Sequence, residues 1–125
     1  MREIKFRGKG INGEWHKGLL SISQGKPGQP EKGYYISNEA GMPWAYQVRP
    51  ETIGQLIATI DGQEFYEGDI GRVKTIVNKD YYENLELVFE TDELLFQLND
   101  ETFLLAEKAE IIGNKYDNPE LIKNA

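Results

Sequence analysis

Cysteine is absent from this chain. Its absence removes disulfides, cysteine-ligated zinc and thiol catalysis together. At 125 residues the chain needs no such staples, because roughly two thirds of the unfolded surface is buried at this size. A chain without thiols fits a reducing compartment. Histidine is nearly absent as well, with His16 the only one. Zinc ordinarily takes three or four ligands, so His16 by itself makes no metal site. Long apolar runs are missing: none approaches the roughly 20 residues that span a bilayer. Met1-Arg2-Glu3-Ile4-Lys5 has no apolar core of a secretory leader. The expectation is a cytoplasmic protein with no membrane association and no cofactor.

Positive charge is in short supply overall: 14 Lys and Arg face 21 Asp and Glu, for a net charge of −7. The imbalance is uneven. Residues 1–50 hold eight basic and four acidic residues, net +4, and residues 51–125 hold six and seventeen, net −11. Phosphate-backbone binding relies on cations, so the second half is a poor nucleic-acid surface. The first half retains a modest basic character.

What is present reads as strands. In Arg2–Arg7, Ile4 and Phe6 share one face and Glu3, Lys5 and Arg7 the other, the period-two pattern of a half-buried strand. Asn12-Gly13 then signals a hairpin, with its second strand expected over Glu14–Ser23. Gln24–Gly33 holds three glycines and two prolines in ten residues, which predicts an irregular loop. Tyr34–Ile36, Pro43–Val48 and Gln55–Ile60 are strand candidates, and Pro50–Gly54 reads as one tight or 3₁₀ turn. Asp61-Gly62 is a second hairpin signal. Ile70–Val77, Leu85–Glu90, Leu94–Leu98 and Thr102–Leu105 follow, with Ile111–Asn114 closing the last strand. Strands at this spacing indicate a sandwich or barrel. Asn118-Pro119-Glu120 has the cap, N1 proline and first-turn acid of a short C-terminal helix. The expected fold is mostly β in one domain: an N-terminal β-hairpin lobe, about 1–54, and a lobe of about 55–125. The latter holds a small SH3-like β-barrel of about five strands from Glu67 onward, ahead of the short helix.

Several constellations invite a chemical reading. Gly8-Lys9-Gly10-Ile11-Asn12-Gly13 is a literal G-x-G-x-x-G, yet strand-like residues follow where dinucleotide binding needs a helix. His16 with Ser21, Ser23 or Ser37 lacks a nucleophile elbow, so a surface histidine sharing a strand face with Glu14 is expected. Asp61, Glu64, Glu67 and Asp69 miss the calcium-loop spacing, because Phe65 and Tyr66 fall at positions 5 and 6. Glu67 and Asp69, two apart, suit acid–base work or a divalent cation. The simpler reading is a turn, with Gly68 at its bend and Asp69 bonded to backbone amides. Trp15, His16, Lys17, Tyr34 and Tyr35 suggest a stacking platform for single-stranded nucleic acid, weighed against plain strand packing.

Five pieces stand in order along nearly the whole chain: Arg2–Lys9, then Gly13-Glu14-Trp15 with Gly18, then Val48–Gln55, then Phe65–Ile70, then Ile111–Leu121. Together they resemble the YopX family of small phage and prophage proteins. The resemblance implies a mostly β, barrel-containing fold and a bacterial cytoplasmic setting. It implies no biochemical activity, and no catalytic residue carries over. Glu51, Gly54, Gln55, Tyr66, Glu67, Gly68 and Asp69 match motif positions. The chain departs from the family pattern at Leu56–Ile60, where the family has Thr-Gly-Leu and a charged turn.

The first expectation is therefore a non-enzymatic accessory protein that binds a host or phage protein, self-association included. Trp15, Tyr66, Glu67 and Asp69 are its candidate binding residues. The second is a single-stranded nucleic-acid binder using the basic, aromatic first half. The third is a metal-assisted hydrolase built on Glu67 and Asp69.

Overall fold

The computed structural model describes residues 4–37, 42–77, 79–88, 94–98 and 102–121. The described residues are mostly β-strand. They fall into two compact units, Glu3–Leu56 and Ile57–Ala125.

The first unit begins with the hairpin of β1 (Phe6–Lys9) and β2 (Trp15–Gly18). The Gly10 amide donates to the Glu14 carbonyl at 2.7 Å and the Gly13 amide to the Gly10 carbonyl at 3.0 Å. The loop is thus three residues long, with Gly13 at φ 91°, the left-handed position such loops require. A hairpin therefore occupies the G-x-G-x-x-G run, and no helix opens on it. The expected single strand over Glu14–Ser23 is instead two. After β2 the chain enters β3 (Leu20–Ser23), which pairs with β4 (Gly33–Ile36), itself paired with β5 (Tyr46–Val48). The break falls at Gly18, where a Cβ would overlap the carbonyl oxygen of Ser37. That close approach admits only glycine.

Pro50–Thr52 form the expected 3₁₀ turn. The Thr52 hydroxyl donates to the Arg49 carbonyl at 2.7 Å and accepts from the Lys9 amide at 2.8 Å, tying the turn to β1. Tyr35, Ile36, Val48 and Leu56 are buried. Val48 lies on Gly8 so closely that a Cβ there would sit 2.9 Å from its side chain. Then β6 (Gly54–Ile60) sets Gly54 opposite Arg7 and Gln55 opposite Phe6.

In the second unit β6 turns into β7 (Gln63–Tyr66), its hydrogen-bonded neighbour. Asp61 and Gly62 both take positive φ, 52° and 82°, the mark of a two-residue type I′ turn. Then β8 (Asp69–Thr75), β9 (Tyr81–Leu87), β10 (Leu95–Gln97) and β11 (Phe103–Asn114) close a barrel in the order β10-β11-β8-β9. Val73, Leu87 and Phe96 are fully buried inside it, with Ile57 and Phe65 of the β6–β7 hairpin in the same cluster. Gly71 leaves room for the Phe96 ring, which would lie 3.2 Å from a Cβ there.

Three expectations need correction. The barrel closes with four strands where about five were expected. Its last strand is continuous, although Ala106–Glu110 are poor strand formers. Pairing with β8 holds them, from Ala106 opposite Thr75 to Asn114 opposite Asp69, with bulges after Ala106 and Ile111. Finally, Pro119–Leu121 make a single 3₁₀ turn rather than an α-helix; residues 122 and 123, into which the expected helix ran, lie outside the described residues. So do residues 89 and 90 of the expected strand Leu85–Glu90; the observed β9 starts earlier, at Tyr81.

Candidate functional site

The acidic stretch around Glu67 resolves into a buried turn. Asp69 is 2% exposed and its carboxylate accepts the Tyr66 amide at 2.8 Å. Gly68, at φ 93°, donates its amide to the Leu87 carbonyl at 3.0 Å and receives the Lys115 amide on its own carbonyl at 2.9 Å. Tyr66 is buried too, its hydroxyl donating to Glu64 at 2.9 Å. Of the acids at 67 and 69, only Glu67 retains partial exposure. They do not converge as an open carboxylate pair, because Asp69 is committed to backbone.

A second turn packs on the first. The Asn114 side-chain oxygen accepts the amides of Tyr116 at 3.0 Å and Asp117 at 2.9 Å. The Asn118 side-chain oxygen accepts the Asn114 amide at 3.2 Å. The Asn114 pair is an Asx turn, in which a short polar side chain replaces a backbone partner; the Asn118 bond closes the segment from its far end. A Cβ on Gly68 would meet the Tyr116 ring at 3.2 Å, so the two turns share one surface. Lys115 binds Glu86 at 3.1 Å. Burial pulls its ammonium pKa down, but the hydrogen bond and charge of Glu86, with Tyr116 and Glu67 adding, leave it above the usual value. The motifs Phe65–Ile70 and Ile111–Leu121 are therefore one structural feature. Asn118 was expected as the cap of a C-terminal helix and Asn114 as the end of the last strand; their side-chain bonds across this turn were not foreseen.

Trp15 lies on the β1–β2 hairpin. Arg7 stands opposite Lys17, and Lys9 opposite Trp15, so all four share one face. The Arg7 guanidinium lies 5.0 Å from the Trp15 ring centre. The expected five-residue platform does not assemble, because strand alternation sends His16 to the other face and Tyr35 is buried, its ring edge-on to Trp44 at 5.5 Å. His16 is also less exposed than expected, at 15%. It stacks on Tyr46 with ring centres 3.8 Å apart, and its Nε2 donates at 3.0 Å to the Glu14 carboxylate. That hydrogen bond holds the Glu14 carboxyl below its usual range. Gly10 floors the pair, since a Cβ there would lie 2.5 Å from the Glu14 oxygen. Glu14, His16 and Tyr46 line a shallow cleft of about 200 Å³. Tyr46 was not foreseen beside His16, thirty positions away, because only the sheet pairings bring them together.

Of the remaining motif positions, Glu51 is exposed on the 3₁₀ turn, Gly54 is buried at the start of β6, and Gln55 is half-buried. On the outside of the barrel, Arg72 lies over Tyr81 at 4.3 Å and bonds Glu83 at 3.1 Å. Lys74 and Lys79 both reach Glu107, at 3.6 Å and 2.8 Å. The Glu107 carboxyl is held below its usual range, chiefly by the Lys79 hydrogen bond. Among the described residues, no three His, Asp or Glu are grouped to hold a metal ion, and no helix is long and apolar enough to cross a membrane.

No curated protein and no solved structure gives a match to the chain. The family model described as YopX protein matches residues 5–123. That span takes in both units and both packed turns, and the chain belongs to the YopX protein family.

Proposed function

We propose that this chain is a phage or prophage accessory protein that binds another protein and catalyses no reaction, in the cytoplasm of a bacterial host. The observation that carries the proposal is the outer face of the barrel. Lys74 pairs with Tyr81 across β8–β9, and Lys108 and Glu110 flank Lys74 and Arg72 across β8–β11. Tyr81 is 56% exposed with Arg72 laid over it. Tyrosine and arginine are the side chains that most often anchor protein interfaces. Glu83, Glu107 and Glu110 stand among these cations, and a face of mixed charge suits a protein partner better than a phosphate backbone. In this reading the barrel serves as an SH3-like module. The test is capture from host lysate with wild type and with the double variant Arg72→Ala, Tyr81→Ala. A partner retained by wild type and lost by the variant supports the reading; repeated recovery of the bait alone sinks it.

A second reading rests on the hairpin face of Lys9, Trp15 and Lys17, where the buried Arg7 lies against the Trp15 ring. A cationic strand pair beside an indole ring suits single-stranded nucleic acid. It requires a rise in fluorescence anisotropy of a labelled oligonucleotide at low salt, reversed by added salt and weakened by Trp15→Ala. A flat anisotropy trace at low salt removes it. The hydrolase reading loses its support in the burial of Asp69.

A further inference from the structure

We propose that two copies of this chain pair edge to edge through β3, running antiparallel about a two-fold axis at Ser21. The proposal names the surface of the self-association that belongs to the binding reading above, and it does not depend on the barrel face.

Open strand edges pair with other strands unless something blocks them, and proteins block them with charge, proline, bulges or cover. Each other edge among the described residues carries such a block. Beside β5, Val48 bridges Gly10 and the Arg49 amide donates to the Lys9 carbonyl at 2.9 Å. On β7 the Tyr66 amide is taken by Asp69. On β2, Lys17 is exposed. The barrel closes and has no edge.

By contrast, β3 ends its sheet, which runs in the order β3-β4-β5. Leu19-Leu20-Ser21-Ile22-Ser23-Gln24 holds no charge and no proline. Leu19 is 56% and Ile22 52% exposed. Leu20 and Ile22 share one face of the strand, Leu20 half-buried and Ile22 exposed, whereas Ser23 on the other face is fully buried, donating to the Pro30 carbonyl at 2.8 Å. Ile22 is left for a partner strand to cover.

The absence of charge selects the occupant. An edge without charge has nothing with which to attract a charged partner strand, and meets no repulsion from its own copy. Centred on Ser21, antiparallel pairing sets Leu20 of one copy against Ile22 of the other, twice. Cross-strand aliphatic pairs of this kind are the unit of sheet stabilisation. The result is a six-stranded sheet from two three-stranded ones, with an isologous interface.

The chain's lack of cysteine makes the test clean. Light scattering of the full chain should give twice the 14.3 kDa of one copy. Ser21→Cys should cross-link to a covalent dimer under mild oxidation, whereas Lys17→Cys on β2 should not. Ile22→Lys should weaken self-association at least about tenfold. Ile22 is exposed, so its variant should keep the wild-type tryptophan spectrum, which verifies folding. A monomeric wild type overturns the proposal, as does a dimer that Ile22→Lys leaves intact or a Lys17→Cys that cross-links as fast as Ser21→Cys. Retention of a lysate partner by Ile22→Lys, with loss in the Arg72→Ala, Tyr81→Ala variant, separates this surface from the barrel face.

Discussion

The unit Glu3–Leu56 keeps its strands in short open ladders, while β8 to β11 close on themselves. The charges differ in step: residues 3–56 hold seven basic and five acidic residues, and residues 57–125 hold six and sixteen. Closure abolishes edges and gathers one apolar interior, so the barrel tolerates a heavily acidic exterior. The open unit has edges to manage and buries fewer large side chains. It relies instead on glycines that let backbones touch, at Gly8 against Val48 and Gly18 against Ser37.

If closure around a common interior is what holds the barrel, emptying that interior should have the largest effect. Phe96→Ala should cost about 3–5 kcal/mol, read by urea denaturation with amide exchange of β8 and β11. A loss below about 1 kcal/mol would show that closure does not depend on this ring. The open unit should respond to crowding. Gly18→Ala should cost up to about 3 kcal/mol through overpacking against Ser37. Trp15 and Trp44 both lie in this unit, so tryptophan fluorescence reads it alone.

The turn at Gly68 offers a finer comparison. Asp69→Ala leaves the buried Tyr66 amide without its acceptor and should cost about 1–2 kcal/mol, measured in urea. A neutral outcome would place the strength of the turn in Gly68 and Lys115. The smallest effect belongs to Lys115. Its folded pKa is raised above 10.5, so its contribution is fully present below that pH and fades as pH climbs through the raised value. Lys115 is about one-third exposed at its side chain, and solvent screening keeps the pair with Glu86 under about 1 kcal/mol. Wild type should therefore lose stability more steeply above pH 10.5 than Lys115→Met, followed by thermal melts across that range. Equal slopes would remove the ion pair from the turn's support.

Much of this was legible along the chain. Asp61-Gly62 announces its hairpin because few residues accept two successive positive φ angles. Pro50 to Gly54 announces its 3₁₀ turn through proline's fixed φ. The buried acid at Asp69 was foreseen as a turn former beside Gly68, since short acids bond nearby amides. Other features were hidden. Ala106–Glu110 has no strand signature, and only the neighbouring β8 keeps it extended. Trp15 separates from His16 because adjacent residues in a strand point to opposite faces. The stack of His16 on Tyr46 needs β1, β2 and β5 in place before it exists.

By itself, then, the sequence determined the class of the protein: strands from period-two patterning, turns from glycine, proline and aspartate, and family from motifs in fixed order. Those are local properties, written in φ preferences and in which side chains resist water. Only the tertiary structure decided what the motif Phe65–Ile70 is. Its acids read as a site while they stand alone in a line of letters. Packed against Asn114 to Asn118, with Lys115 bonded to Gly68 and Asp69 sealed on the Tyr66 amide, they are the fastening of a barrel. Long-range pairing decides that outcome, and a pairing partner some forty-five positions away leaves no mark on the local pattern.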